Sequence, residues 1–320
     1  MSSRPIAMRD ALLKKIHEAM SKDDKIFFVT ADFGSPVVDL IKKDFPNRFV
    51  NVGIAEQNLI NISSGLAIEG YKVFAYAIAP FITMRCYEQI RVNLALLSEV
   101  REMNVTLIGV GAGYSYVVSG PTHQCYEDLT IMRALPTFSV YSPADHITTS
   151  NLFNDCYQRN GLKYLRLDAQ VLPPLYDLVT ADWEKGFYQH SIGSEICLVA
   201  TGYMVHTALK VAKKLAGINI NVGVVDLYSI SDFQQDALLQ TLEQYKGIVT
   251  IEEGFCGRGG VDSLMFNFLA HKNPSMRVEN IGVSPGYRFE LGTRDELHEE
   301  VGIGEVAIAD RIMTFHNNLT

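Results

Sequence analysis

Three short words in this sequence carry side chains able to do acid–base or binding chemistry. The first, Gly53-Ile54-Ala55-Glu56-Gln57, sets a carboxylate among apolar residues: Val50 and Val52 precede it, and Leu59, Ile60 and Ile62 follow. A buried acid can hold its proton and share it with a ring nitrogen. The word alone favours a plainer role, in which the acid answers the positive end of a helix. The second stretch, Phe81 to Tyr87, is aromatic at both ends. The third, Gly120-Pro121-Thr122-His123-Gln124, puts a histidine just after a proline. A rigid loop on an α/β scaffold is where sites are carried, although a lone histidine is commonly structural.

Other candidates read as ordinary structure. Cys125 stands two residues after His123, but no third group that would activate a thiol lies nearby, and small buried cysteines are common. Gly109-x-Gly111-x-Gly113 follows a strand and resembles a dinucleotide turn, yet Tyr114 falls where the third glycine belongs. Gly257-Arg258-Gly259-Gly260 reads as a turn leading into a helix rather than a phosphate cradle.

The elements that must position these words alternate between apolar runs and helical patterns, the signature of an α/β chain with mainly parallel sheets. The runs predict strands at Ile26–Thr30, Val73–Ala77, Val105–Val110, Phe138–Tyr141 and Lys163–Arg166. A second block predicts strands at Ile196–Thr201, Val222–Val225 and Ile248–Ile251, with a helix over Val205–Leu215. In Ser142-Pro143-Ala144-Asp145, Ser142 is the expected helix cap and Asp145 completes its box; Thr293-x-x-Glu296 is a second capping box. Between the blocks, Pro173-Pro174, Trp183, Gly186 and Gly193 interrupt the pattern. The expected organisation is a first domain over 1–175, a linker over 176–190 and a second domain over 191–320.

Composition narrows the function classes. A formal charge of −8 argues against a nucleic-acid partner. No run of about twenty apolar residues predicts a membrane span, and the N-terminus shows no apolar signal core. Five cysteines without a Cys-x-x-Cys pair fit a reducing, cytoplasmic setting.

Taken together, Gly-Ile-Ala-Glu-Gln, the Phe81–Tyr87 stretch and Gly-Pro-Thr-His-Gln resemble the pyrimidine-binding domain of the transketolase family. Deoxyxylulose-phosphate synthases are close relatives that share the first word. Leu198-Val199-Ala200-Thr201-Gly202 and Glu252-Glu253-Gly254 resemble the family's C-terminal domain. The family's diphosphate domain carries a Gly-Asp-Gly word with a downstream metal-binding Asn, and no Gly-Asp-Gly occurs here. The resemblance therefore implies the C-terminal subunit of a split transketolase. Its partner would be an N-terminal, diphosphate-binding subunit, expected in an α2β2 assembly. Thiamine diphosphate would be shared between the two, and Mg²⁺ or Ca²⁺ would be bound by the partner, with no metal ligand in this chain.

The resemblance also assigns roles. Glu56 matches the acid that hydrogen-bonds N1′ of the aminopyrimidine; proton sharing there favours the imino form that activates the thiazolium carbon. Phe81 matches the aromatic that stacks on the pyrimidine, and Met84 and Tyr87 match two further pocket positions. His123 matches the histidine that contacts the substrate oxygen. Arg9 and Arg166 match two arginines that grip the substrate phosphate. Asp32 matches a strand-end acid near a subunit interface.

Two positions depart from the family. Ser119 stands where transketolases place a hydroxyl-reading Asp, and Gly111 stands where they place a clamp histidine. The substrates are thus expected to be a ketose, phosphorylated in the family's manner, and an aldehyde acceptor. Gly111 is expected to leave room for a bulkier one. Synthase-like and 2-oxoacid-dehydrogenase-like subunits, and a silent regulatory partner, stay open as alternatives.

Overall fold

The computed structural model describes residues 5–176 and 182–319. Among these residues the strands form two sheets. The first comprises β1 (Ile26–Thr30), β2 (Phe49–Asn51), β3 (Lys72–Ile78), β4 (Asn104–Val110), β5 (Phe138–Tyr141) and β6 (Gly161–Leu167). Its order is β2-β1-β3-β4-β6-β5, and every pairing is parallel. The second comprises β7 (Phe187–Ser191), β8 (Ile196–Ala200), β9 (Val222–Leu227), β10 (Gly247–Phe255) and β11 (Arg277–Val283), in the order β11-β10-β8-β9-β7. It is parallel except where β7 runs antiparallel to β9. Every residue of β4, β8 and β9 is buried. Strands covered on both faces read as continuous apolar runs, which is why these were legible.

Several expectations need correction. Residues 187–190 of the expected linker belong to β7, an edge strand of the second sheet. Residues 177–181 of that expected linker lie outside the described residues. The helix after Ser142 begins three residues later than its capping signal implied, over His146–Gln158. Asp145 is its cap: Oδ1 accepts from the Thr148 amide at 2.8 Å, and Oδ2 accepts from Leu175 N at 2.7 Å. Ser142 is committed elsewhere. Its amide donates to Tyr228 O, and its carbonyl accepts from Gly202 N and Thr201 Oγ1, all across the domain boundary. The box at Thr293 and Glu296 forms as expected. Among the described residues no helix is long and apolar enough to cross a membrane.

The Gly257–Gly260 turn is filled by the chain's own carboxylates. Glu252 Oε1 accepts from Asp262 N at 2.9 Å, at the start of the helix Val261–Lys272. A Cβ at Gly260 would lie 2.2 Å from Glu252 Oε2. That oxygen has no hydrogen-bond partner, and burial pushes the Glu252 carboxyl up to about 7. The native state therefore holds a proton that the unfolded chain has lost between about pH 4.5 and pH 7. This contribution is fully present below that window and is lost as pH rises through it. The difference in stability between the wild type and Glu252→Gln should shift against the wild type by about 3 kcal/mol from pH 4.5 to pH 8. Urea unfolding of both proteins across this range measures it.

Candidate active site

The candidate site sits where the strand order of the first sheet reverses. From β1 the chain steps outward to β2; from β3 it steps the other way to β4. The crevice beyond the carboxyl ends of strands at such a switch point is where open parallel sheets bind ligands. Glu56 follows β2, Phe81 follows β3 and His123 lies in the loop after β4.

Local hydrogen bonds fix the turn that presents Glu56. Asn51 Oδ1 accepts from Asp32 N and Gly53 N, both at 3.0 Å, and Asn51 Nδ2 donates to Asp32 Oδ1 at 3.3 Å. Asp32 has a left-handed backbone (φ 49°), which an Asp side chain tolerates when it bonds locally. It thus clasps the ends of β1 and β2. Glu56 opens the helix Glu56–Ile68, but its side chain does not cap it. The residue is 2% exposed and its Oε2 accepts from Arg85 Nη1 at 2.6 Å.

Phe81 to Arg85 form a π-helical turn, a winding that recurs at functional sites. The Arg85 guanidinium carbon lies 4.4 Å from the centre of the Phe81 ring. The His123 ring stands edge-on to the same phenyl, with centroids 5.2 Å apart. Thr122 Oγ1 and His123 Nδ1 are 2.9 Å apart. Glu56, Arg85, Phe81 and His123 are thus one contiguous cluster. Arg85 was missed by sequence reasoning, because its partner is 29 residues away. Met84, in the same π-helical turn, is exposed. Tyr87 spends its hydroxyl on Ile131 O at 2.8 Å and packs against the first core.

The loop bearing His123 is held from the second domain. Glu253, on β10, accepts from the Tyr114 amide at 3.2 Å. Its carboxylate also takes Arg294 Nε at 3.0 Å, Arg294 Nη2 at 2.6 Å and His298 Nε2 at 2.6 Å. Burial would raise the Glu253 pKa, but Arg294 and His298 outweigh it and hold the carboxyl far below its ordinary value. Arg294 Nη1 reaches Asp168, just beyond β6, at 2.7 Å. Gly113 makes the approach possible: its φ is 52°, and a Cβ there would meet Glu253 Oε2 at 2.2 Å.

Two expected substrate features change in the folded chain. Arg166 was expected at a channel mouth, but it is 2% exposed and bonds Asp128 through Nε at 2.8 Å. Its Nη2 donates to Cys125 O and Glu253 O, both at 3.2 Å. Through Nε and Nη2 this guanidinium joins the two domains. Nor does Gly111 leave open space: a Cβ there would lie 2.2 Å from the Tyr116 ring, which stands 6.4 Å from the His123 ring. Arg9, near the start of the helix Met8–Met20, is only partly buried; its Nε has no hydrogen-bond partner and lies 3.4 Å from Asp10 Oδ1. Ser119 is exposed on the His123 loop. Cys125 is fully enclosed and burial drives its thiol well above its ordinary pKa, which removes it as a nucleophile.

Comparison with known proteins follows the same division. The transketolase pyrimidine-binding domain family matches residues 4–174, and the transketolase C-terminal domain family matches residues 185–308. An apulose-4-phosphate transketolase subunit of Actinobacillus succinogenes is 30% identical over 277 residues, covering 86% of either chain. The 6-deoxy-6-sulfo-D-fructose transketolase subunit SqwH of Clostridium sp. is 28% identical over 300 residues, 92% of this chain and 90% of that one. A solved structure described as a split gene transketolase, inactive beta4 tetramer, aligns with a TM-score of 0.84 at 28% identity, over 97% of this chain and 98% of that one.

The Arg166 geometry has a testable consequence. Arg166→Ala should destabilise the protein by about 3–5 kcal/mol, because it strands the buried Asp128 carboxylate. Urea unfolding reads this directly. A loss of activity confined to phosphorylated acceptors would place the Nη1 edge on the substrate; an equal loss with unphosphorylated ones would leave Arg166 to the domain joint.

Proposed function

Because the chain belongs to the transketolase family, we propose that it is the catalytic C-terminal subunit of a split, thiamine diphosphate-dependent transketolase. It would transfer a two-carbon ketol unit from a ketose to an aldehyde with a separate diphosphate-binding subunit. One observation carries the reading. Glu56 and Phe81 already hold a planar group bearing N–H donors, the Arg85 guanidinium, between a buried carboxylate and an aromatic face. An aminopyrimidine makes the same two demands, so the residues present fit the cofactor.

When bound, the cofactor supplies the carbanion chemistry of ketol transfer. Glu56 would hold and share a proton at the ring nitrogen it faces, and its burial keeps water from competing for that proton. Phe81 would fix the ring plane; such stacking contributes about 0.5–1.5 kcal/mol beyond burial. His123, edge-on to Phe81, would hold or move the proton on the substrate oxygen. Arg9 and the Nη1 edge of Arg166 are the candidates for an anionic substrate group, and Tyr116 stands beside His123. The metal, Mg²⁺ or Ca²⁺, would be held by the partner.

The named subunits among its relatives support dependence on that partner, and the description of one solved relative as an inactive β4 tetramer supports it further. We read the working assembly as α2β2. Five free cysteines fit a reducing, cytoplasmic setting.

Glu56→Gln keeps the hydrogen bond but cannot share the proton. Measured as deuterium exchange at the cofactor's reactive carbon in the assembled enzyme, it should slow exchange about 10²–10⁴-fold. Exchange at the wild-type rate would return Glu56 to a structural role.

A further inference from the structure

The contact that supports the cofactor reading also blocks it. In the structure Arg85 Nη1 donates to Glu56 Oε2 at 2.6 Å, while its guanidinium lies over Phe81 at 4.4 Å. A guanidinium is flat and delocalised, with N–C–N edges that bear N–H donors. An aminopyrimidine presents the same flat face and the same kind of edge. The two cannot both use the Glu56–Phe81 pair in this way. We propose that Arg85 guards the ring site: its guanidinium stands in for the aminopyrimidine in the free subunit and swings away when the cofactor enters.

Three features suit Arg85 to this task. Glu56 is 2% exposed, and a bare buried carboxylate is costly; Arg85 compensates its charge. The Arg85 side chain is itself 39% exposed, so its route to water is open. It ends the π-helical turn Phe81–Arg85, whose winding brings the guanidinium back over the ring four residues earlier. Cofactor affinity then includes the free energy of breaking this pair. A change that removes the guanidinium should tighten cofactor binding, which is the opposite of what removing a ligand-binding arginine does.

This inference rests on the proposed cofactor, and the test separates the two. Thiamine diphosphate with Mg²⁺ is titrated calorimetrically into the chain assembled with its diphosphate-binding subunit, as wild type, Arg85→Ala and Arg85→Lys. Thermal unfolding confirms that each variant is folded. The guard predicts a Kd lowered about tenfold or more in Arg85→Ala. Arg85→Lys, which keeps the charge but loses the planar stack, should fall between. Stopped-flow mixing should show faster cofactor association in Arg85→Ala. If wild type binds and Arg85→Ala binds equally or more weakly, Arg85 is a permanent brace on Glu56 and the guard is wrong. An assembled wild type that binds no thiamine diphosphate overturns the proposed function and the guard together.

Discussion

The Glu253 carboxylate is the joint on which the arrangement depends. It is buried on the second sheet, yet it takes an amide from the loop that bears His123. Arg294 compensates its charge, His298 hydrogen-bonds it, and Arg294 extends the pairing to Asp168 at the end of the first sheet. Arg166 closes the other side by joining Asp128 to the Glu253 carbonyl. Each charge in this network is expensive to bury alone and tolerable only with its partners. The domains therefore have one satisfied register, and that register sets where the His123 loop can lie. Gly113 belongs to the same constraint, since a side chain there would occupy the carboxylate's place.

The rest of the site needs no second domain. Parallel strands on either side of the switch point deliver Glu56 and Phe81 to one crevice. The Asp32–Asn51 clasp fixes the turn before Glu56, and the π-helical turn sets the ring of Phe81 beside Arg85. Rigid elements present the acid and the aromatic, whereas a loop held at a distance presents the histidine. Such a division suits chemistry in which a ring must be fixed while a substrate enters and leaves.

Much of this was legible in the sequence where burial dictated composition. β1 and β5 fall where their apolar runs place them, and β4 and β8 differ by a residue at one end. The edge strands β7 and β11 were not legible, because they carry polar residues such as Gln189 and Glu279. The site words pointed to the residues that cluster, Glu56, Phe81 and His123. What the words could not show was pairing across long stretches of chain. The sequence offers Arg166 as a phosphate-gripping arginine and gives no sign of Asp128 and Glu253, 38 and 87 residues away, which take its Nε and Nη2. Gly111 reads as open space until Tyr116 folds over it. Local propensity carries no information about such partners, and only the folded register supplies them.

The central claim is that this chain holds one half of a cofactor site and needs a second subunit for the other half. Titration calorimetry with thiamine diphosphate and Mg²⁺ tests it most directly, on the isolated chain, on its diphosphate-binding partner and on the two mixed. The account predicts tight binding in the mixture and little or none by this chain alone. Micromolar binding by the isolated chain would contradict it.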